Sequence, residues 1–301
     1  MKDIIIIGGG PAGLTAAVYA LRSGKSVLLF EKIAYGGQIS KSHLVENYPA
    51  IKSISGFEFS MNLYNQAKDF GCEFKQAEVI EVTDGEVKTV KTKKESFQAK
   101  AIIFALGSEP KKSDIEKESA YIGRGVSYCA FCDGNFYKNK DVAVVGGGNT
   151  AVQDAIYLSE LCNKVYLIHR RDSFRAQPNT VQKLNSISNI ELVLNSVPVD
   201  ITGEKTVSGI EVKNTLTDET KQLSVSGIFF AIGQIPPTDK FKNILPTDSY
   251  GYVSVDDSCK ISDGIYVCGD CRSKKVRQLT TAVSDGTVAA IEACEYLDSL
   301  N

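Results

Sequence analysis

Apolar positions near the amino terminus follow first a strand pattern and then a helix pattern. Ile4 to Ile7 form an unbroken apolar run, which is typical of a parallel strand that is buried on both faces. Glycines follow at once, small and apolar residues then continue from about Gly13 to Ser23, and a second apolar run ends at Glu31. The pattern predicts one βαβ unit within DIIIIGGGPAGLTAAVYALRSGKSVLLFEK.

The same pattern recurs in DVAVVGGGNTAVQDAIYLSELCNKVYLIHRR, which starts at Asp141. The segments AIIFALG, residues 101–107, and GIFFAIG, residues 227–233, resemble one closing strand that is placed once after each start. A repeat of this kind indicates two copies of one supersecondary unit. The sequence therefore predicts an α/β fold with two Rossmann-like dinucleotide-binding domains, each with a three-layer ββα architecture.

The end of the chain indicates how the two domains are connected. DGIYVCGDC, residues 263–271, supplies another short strand and glycine turn after the second repeat. The economical arrangement returns this segment to the first sheet, so that the second domain is an insertion. We expect the first domain to comprise residues 1–110 and 238–301, and the second to comprise residues 111–237.

Each βαβ start carries a glycine spacing that suits a dinucleotide. The G-x-G-x-x-G positions allow a tight turn, close approach to a pyrophosphate and close helix packing, with the helix N-terminus facing the phosphates. In the second copy an alanine takes the last position. These positions are Gly8, Gly10 and Gly13 in the first copy, and Gly146, Gly148 and Ala151 in the second.

The residue at the end of the second strand meets the adenosine ribose in such units, and an acid there excludes a 2′-phosphate. Glu31 follows Gly13 by 18 residues (31 − 13), and the same count from Ala151 (169 − 151) reaches His169. In the segment HRRDSFRA the acid is replaced by a basic cluster, which favours NADPH at the second site. Spacing alone leaves FAD and NAD open at the first site. The cluster comprises His169, Arg170, Arg171 and Arg175.

Composition excludes several classes of function. The 301 residues are 43% hydrophobic and carry a formal net charge of −2, which gives no basic field for nucleic acid or an anionic membrane. The run from Ile4 to Ile7 is far shorter than the roughly 20 apolar residues of a spanning helix. Because the amino terminus also lacks the features of an export signal, we expect a cytoplasmic protein.

Two of the eight cysteines stand three positions apart in YCAFCDG. Cys129 and Cys132 form a CxxC beside a βαβ unit, which indicates a redox disulfide. A zinc site would need ligands that the spacing of the other cysteines does not supply, so no metal is expected. Asp133 follows and is a candidate proton donor and acceptor, although it also suits a DG turn. Cys268 and Cys271 are better interpreted as buried structural thiols.

Taken in order, the motifs GGGPAG, GGQ, ENYP, YCAFCDG, GGGNTA, HRRDSFRA, CGD and RQLTTA resemble those of the low-molecular-weight, NADPH-dependent thioredoxin reductases, which are class II pyridine nucleotide-disulfide oxidoreductases. The resemblance covers nearly the whole chain and implies a flavoprotein with one nucleotide per domain. It implies FAD in the first domain, bound by Gly8, Gly10, Pro11, Ala12, Gly13, Glu31, Gly37, Gln38, Asn47, Asp270, Arg277 and Gln278. It implies NADPH in the second domain, bound by Gly146, Gly148, Asn149, Thr150, His169, Arg170, Arg171 and Arg175.

The resemblance also implies a path for electrons, from NADPH through FAD and the Cys129–Cys132 disulfide to thioredoxin or a thioredoxin-like protein. Cys132 would be the thiol nearer the flavin, Cys129 would attack the partner, and the inserted domain would rotate between half-reactions. A helix from about Leu279 and a homodimer are further family expectations. One departure is the pair Gln153 and Asp154, where the family usually has two glutamates, which leaves a nicotinamide contact there in doubt.

Two other functions are compatible with this architecture. A flavin-dependent dithiol oxidase would pass electrons to oxygen, but it would have little use for the basic cluster at residues 169–175. A flavin sensor without catalysis would bind the nucleotides and signal through its conformation.

Overall fold

The computed structural model describes residues 1–42 and 45–300. The chain divides into two compact units, Met1–Glu109 with Ile235–Asn301 and Pro110–Gln234. The first boundary between the units follows residue 109, one residue earlier than the sequence predicts. The second boundary follows residue 234, three residues earlier than predicted. The difference arises because short strands occupy both crossings, and the strand pattern there is only two residues long.

The first segment of the chain alternates strands with two long helices. Its helices are α1 (Pro11–Arg22) and α2 (Gly56–Asp69), and a 3-10 turn covers Gly37–Lys41. Its strands are β1 (Lys2–Ile7), β2 (Val27–Glu31), β3 (Glu73–Gln76), β4 (Val79–Thr83), β5 (Lys88–Thr92), β6 (Ser96–Phe104) and the crossing strand β7 (Glu109–Pro110).

The second unit has the same alternation and an added antiparallel sheet. Its helices are α3 (Glu118–Tyr121), α4 (Ala130–Asp133), α5 (Asn149–Ser159) and α6 (Pro178–Asn185), and a 3-10 turn covers Gly134–Tyr137. Its strands are β8 (Val126–Ser127), β9 (Asp141–Val145), β10 (Lys164–Ile168), β11 (Ile190–Val193), β12 (Ser196–Gly203), β13 (Val207–Asn214), β14 (Thr220–Ser224), β15 (Gly227–Phe230) and the returning strand β16 (Gln234–Ile235).

The returning segment completes the first unit. It contains two 3-10 turns, Asp239–Phe241 and Gly269–Cys271, together with β17 (Lys260–Ser262), β18 (Ile265–Val267) and α7 (Leu279–Ser299). The last helix begins at Leu279, in agreement with the position that the family resemblance implies. β18 pairs parallel to β6, so this segment adds strands to the first sheet as expected.

The sheet of the first unit has the order β17-β18-β6-β1-β2-β3, with the β4–β5 hairpin attached to β6. β1 lies between β2 and β6 and is parallel to both. Ile4 and Ile6 face a core formed with α1 and α7, whereas Ile5 and Ile7 face a second core formed with the hairpin. Because both faces are covered, the strand is apolar at each position from Ile4 to Ile7, and the unit has three layers.

The second unit repeats this plan. Its parallel sheet has the order β11-β10-β9-β15-β8, and the antiparallel sheet β12-β13-β14 forms a separate layer. Val142 and Val144 of β9 face a core with α5, and Ala143 and Val145 face a core with the antiparallel strands. The predicted α/β class with two Rossmann-like three-layer units is confirmed.

Candidate active site

The first glycine turn joins β1 to α1. Gly8 has a φ of +115°, and a Cβ at this residue would overlap the carbonyl oxygen of Ala105, at the end of β6. A Cβ on Gly13 would overlap the carbonyl oxygen of Gly8. The turn is therefore packed too closely for side chains at these two positions, as the spacing predicts. Pro11 and Ala12 follow Gly10, which is the N-cap of α1.

Glu31 ties the end of β2 to this turn. Its carboxylate accepts hydrogen bonds from the backbone N–H of Gly9 at 2.9 Å and of Ile33 at 3.0 Å. The GGQ segment also lies against the turn, because a Cβ on Gly37 would come within 2.9 Å of the Gly10 Cα. Gln38 is the next residue of the same 3-10 turn. The structure therefore brings these candidate FAD ligands into one region of the first unit.

The returning segment brings a second group of candidate FAD ligands together. Arg277 donates from Nε to the backbone oxygen of Asp270 at 3.1 Å, and its guanidinium lies 3.8 Å from the ring centroid of Tyr252. Gln278 is the N-cap of α7, and its side-chain oxygen accepts a hydrogen bond from Asn47 Nδ2 at 3.2 Å. Asn47 and Gln278 are far apart in the sequence, and the fold places them in contact.

Asp270 is the acid of this group. One carboxylate oxygen, Oδ1, is buried without a hydrogen-bond partner among the described residues. Lys274 Nζ lies 3.7 Å away, which is an ion-pair distance too long for a hydrogen bond. Burial raises the pKa of Asp270, and the charges of Lys274 and Arg277 oppose that rise. A buried acceptor without a donor suits a ligand that brings hydroxyl groups.

Sequence reasoning missed the buried charges that hold this segment to α7. The Asp285 carboxylate forms ion pairs with Arg272 Nη1 at 2.8 Å and with Lys274 Nζ at 2.9 Å. It also accepts a hydrogen bond from the backbone N–H of Gly269 at 3.1 Å. Asp285 and Arg272 are 9% and 7% exposed, so the pair is shielded from water. An acid among the small and apolar residues in the first half of this helix was the only signal in the sequence.

The second glycine turn joins β9 to α5 and repeats the first with one difference. Gly146 has a φ of +153°, and a Cβ there would overlap the carbonyl oxygen of Ala231 and come within 2.7 Å of the Ala151 Cβ. Gly148 is the N-cap of α5, and Asn149 and Thr150 are its first residues. The alanine at the third position is tolerated because its methyl group packs over Gly146.

His169 packs against this turn, whereas the three arginines of the cluster are exposed. The imidazole is 5% exposed, and a Cβ on Gly147 would overlap the ring. Burial is the first cause that lowers the pKa of His169, and the charges of Arg170, Arg171 and Arg175 lower it further. The histidine is therefore a neutral packing residue at pH 7, and the exposed arginines alone supply the positive charge of the predicted cluster.

Backbone contacts fix the arginine segment to the turn. Arg175 donates its N–H to the carbonyl oxygen of Gly147 at 2.8 Å, and Gln177 donates its N–H to Asn149 Oδ1 at 2.8 Å. The Phe174 ring stacks on His169 with centroids 5.5 Å apart. Three arginines therefore border the start of α5 on a well-anchored loop of the second unit.

Cys129 and Cys132 form a disulfide in the second unit, as the spacing predicts. Cys129 precedes the short helix α4, and Cys132 and Asp133 end it. Both cysteines are partly exposed, and Phe131 between them is 39% exposed and stacks on Tyr157 at 4.3 Å. Phe136, 73% exposed, follows in the next turn. The disulfide is therefore accessible and has apolar surface around it.

Two sets of polar contacts around the disulfide, one at Ser127 and one at Glu118, were not found from the sequence. Ser127 Oγ lies 2.6 Å from Asp133 Oδ2 and 3.0 Å from the Cys129 nitrogen. Glu118, 1% exposed on α3, accepts hydrogen bonds from the Tyr128 hydroxyl and from Ser113. Burial and Glu118 both raise the pKa of Tyr128, so it remains a hydrogen-bond donor at physiological pH.

The two residues that depart from the family pattern have different environments. Gln153 is exposed on α5, whereas Asp154 is 6% exposed. Burial raises the pKa of Asp154 to about 7. A carboxyl that changes its charge near neutral pH therefore lies in the helix that packs against the CxxC segment.

The other six cysteines are buried free thiols. Cys268 and Cys271 are fully buried and belong to cores on opposite faces of the first sheet, so they are structural as expected. Burial raises the pKa of Cys271 to about 11, which keeps it protonated. Among residues 1–42 and 45–300, no group of three potential ligands could hold a metal ion, and no helix has the length and apolarity to cross a membrane.

The residues present fit FAD in the first unit and NADPH in the second. Within the described part of the chain, no side chain caps α1 or α5 and no acid lies in the first turn of either helix. The backbone N–H groups there remain available to a pyrophosphate. The unpartnered Asp270 Oδ1 suits hydroxyl donors, and the three exposed arginines suit a 2′-phosphate.

Comparison with known proteins agrees with this chemistry. Residues 2–286 match the family model described as pyridine nucleotide-disulphide oxidoreductase. The thioredoxin reductase of Helicobacter pylori is 42% identical over 309 residues, covering 99% of both chains, and that of Bacillus subtilis is 40% identical over 301 residues, covering 99% of this chain and 95% of the relative. The crystal structure of Lactococcus lactis thioredoxin reductase in its FR conformation superposes with a TM-score of 0.92 at 38% identity, covering 99% of this chain and all of that one.

Proposed function

We propose a thioredoxin reductase activity for this chain, which belongs to the pyridine nucleotide-disulphide oxidoreductase family. It takes electrons from NADPH and uses them to reduce the disulfide of thioredoxin or a thioredoxin-like protein. The observation that carries the proposal is an accessible CxxC disulfide within the same unit as the second glycine turn and the loop of residues 169–177, here called the arginine loop. A nucleotide donor and a thiol acceptor are therefore assigned to one enzyme.

The two units have different proposed ligands. We assign FAD to the unit formed by residues 1–109 and 235–301, and NADPH to the unit formed by residues 110–234. The FAD ligands are the glycine turn, Glu31, the GGQ segment, Asn47 and the group around Asp270. The NADPH ligands are the second turn and the arginine loop, with His169 supporting the turn from below. When bound, NADPH supplies a hydride and FAD relays its electron pair to the disulfide.

The dithiol then carries out thiol–disulfide exchange with the partner. The Cys129 thiolate attacks one sulfur of the partner disulfide, so that a Cys129–partner bond forms as the partner S–S bond breaks. The Cys132 thiolate attacks Cys129 Sγ, reforms the Cys129–Cys132 bond and releases the second partner sulfur. Two electrons pass from the enzyme dithiol to the partner, and the partner sulfurs each take up one proton.

Asp133 is the proposed group for moving protons at the thiol pair. It ends the same short helix as Cys132, and its backbone N–H donates to the Cys129 carbonyl oxygen at 3.2 Å. When the enzyme disulfide opens, Asp133 gives a proton to a leaving thiolate, and it takes the proton back when the thiol must attack.

The thiol pair has to serve two partners that cannot occupy it together. A disulfide that receives electrons inside the enzyme must afterwards reach the surface of another protein. We propose that the unit of residues 110–234 turns about its two chain crossings between the half-reactions. Exposed Phe131 and Phe136 support a protein substrate, since apolar rings at the surface suit a docking partner.

We further propose that the protein works in the cytoplasm as a homodimer. The homodimer rests on the family resemblance alone. The cytoplasmic location agrees with six buried cysteines that stay free, because thiols persist in a reducing compartment.

The activity is tested by steady-state reduction of thioredoxin with NADPH by the purified, FAD-loaded protein. We expect NADPH oxidation to depend strictly on thioredoxin and to fall to background in Cys129→Ser and Cys132→Ser. Cys162→Ala removes a buried thiol of the same unit and serves as the matched control, which should retain turnover. NADPH oxidation that continues without thioredoxin and consumes oxygen would instead indicate an oxidase. Nucleotide binding without any turnover would indicate a sensor.

A further inference from the structure

We propose that Ser127 is a positioning residue that holds the Asp133 carboxylate for proton exchange with the Cys129–Cys132 pair. This inference rests on the proposed function, because it concerns the proton that accompanies thiol–disulfide exchange. Ser127 lies two residues before Cys129 and belongs to none of the motifs that predict nucleotide binding or redox chemistry.

The hydroxyl of Ser127 stands between the acid and the thiol segment. It lies 2.6 Å from Asp133 Oδ2, 3.0 Å from the Cys129 nitrogen and 3.3 Å from the Cys129 carbonyl oxygen. A hydroxyl has one proton to donate, and the charged carboxylate is both the nearer and the stronger acceptor. Ser127 therefore donates to Asp133 and accepts from the Cys129 N–H.

The backbone holds Ser127 rigidly in this position. The residue is 5% exposed and pairs with Phe229 in the parallel sheet of its unit. On its other side, the Tyr128 hydroxyl is bound by the buried carboxylate of Glu118. The two residues before Cys129 are thus anchored independently, so the hydroxyl is pre-organised on a strand and does not depend on a mobile loop.

The hydrogen bond has a defined effect on proton transfer. It fixes the orientation of the Asp133 carboxylate, which otherwise rotates about its side-chain bonds. The proton passes between Asp133 and a cysteine sulfur, and Ser127 keeps its own proton throughout.

Other titratable groups near Asp133 must be separated from this effect. The helix α4 packs against the 3-10 turn Gly134–Tyr137 and the helix α5, whose titratable groups include Tyr137, Asp154 and Tyr157. Burial raises the pKa of both tyrosines above the ordinary value of 10.0, so they stay neutral below pH 9. Burial raises the pKa of Asp154 to about 7, so this group changes its charge within the useful range.

The test is a single-turnover measurement that needs neither NADPH nor thioredoxin. The FAD-loaded protein is reduced with dithiothreitol, desalted anaerobically and mixed with the aromatic disulfide dithiobis(nitrobenzoate) between pH 5 and 9. We expect Ser127→Ala to move the acid limb of the rate profile to higher pH by about one unit, because one charge-assisted hydrogen bond is lost. Ser127→Thr, which keeps the hydroxyl, should retain the wild-type profile.

Three controls accompany this measurement. Ser196→Ala removes an equally buried hydroxyl that donates to the Leu194 carbonyl oxygen at 2.9 Å, and it should not move the limb. In the Asp133→Asn background, Ser127→Ala should cause no further shift, since the group through which it acts is gone. In the Asp154→Asn background, the shift caused by Ser127→Ala should persist in full.

Two outcomes would overturn the inference: a Ser127→Ala profile that coincides with wild type, or a shift that persists in the Asp133→Asn background. Should Ser127→Ala fail to fold, the isosteric variants Ser127→Thr and Ser127→Val give the same comparison of hydroxyl against methyl. If the proposed function is wrong, wild type will show no NADPH-dependent reduction of thioredoxin. The single-turnover profile does not depend on that activity and still tests the role of Ser127.

Discussion

Gly8 and Gly146 hold equivalent positions in the two units, and the same contact selects glycine at both. Each has a positive φ, and a side chain at either would overlap the carbonyl oxygen of an alanine at the end of a neighbouring strand. Such positions can be predicted from sequence because few residue types fit them. The roles of Ser127 and Asp285 could not be predicted, because they arise from contacts that form only in the folded chain.

Asp154 gives a stability prediction with a defined sign. Its folded pKa, about 7, lies above the ordinary value of 3.8, so the folded state holds a proton that the unfolded state has lost between these pH values. Stability contributed by this group is present below about pH 4 and is lost as the pH rises to about 7. We expect Asp154→Asn, which carries no charge, to raise the thermal midpoint at pH 8 by a few degrees and to leave it nearly unchanged at pH 4.

Calorimetry of the two proteins at several pH values would check this expectation. Glu204→Gln removes an exposed acid of the same unit and should leave the midpoint nearly constant relative to wild type at every pH. A difference between Asp154→Asn and wild type that is the same at pH 4 and pH 8 would contradict the assigned ionisation.

At the scale of elements, the small residues of α1 have a packing reason that the glycine motif alone does not give. A Cβ on Gly286 of α7 would overlap the carbonyl oxygen of Ala12. Alanines of both helices, including Ala16, Ala289 and Ala293, are fully buried in the shared core. The sequence predicts both helices, but it does not predict that they contact each other, because that contact joins the two ends of the chain.

The loop of residues 169–177 is the element that should select NADPH. Its three arginines are exposed, whereas its backbone is tied to the second glycine turn. We expect the double variant Arg170→Ala/Arg171→Ala to raise the KM for NADPH by about 10-fold or more, because charge-assisted hydrogen bonds to a phosphate are lost. The KM for NADH should change little, since NADH lacks that phosphate.

Steady-state kinetics with both nucleotides would measure this selectivity. Arg124→Ala, which removes another exposed arginine of the same unit, is the matched control and should leave the ratio of the two KM values unchanged. An equal rise in the KM for NADPH and for NADH would show that the loop does not recognise the 2′-phosphate. The loop would then support the fold or bind the part that both nucleotides share.

At the scale of the whole molecule, one plan is used twice in one chain. β6 closes beside β1 in the first unit, and β15 closes beside β9 in the second. The repeat of AIIFALG and GIFFAIG made this pairing predictable from sequence. The exact crossings between the units were not predictable, since they depend on two-residue strands that carry no periodic pattern.

We propose that flavin, disulfide and arginine loop form one path for electrons from NADPH. An anaerobic absorbance titration of the FAD-loaded protein with NADPH tests it most directly, with Cys129→Ser and NADH for comparison. We expect NADPH to bleach the flavin, wild type to accept two more electrons than Cys129→Ser, and NADH to reduce the flavin poorly. A flavin that stays oxidised in the presence of NADPH would rule out this electron path.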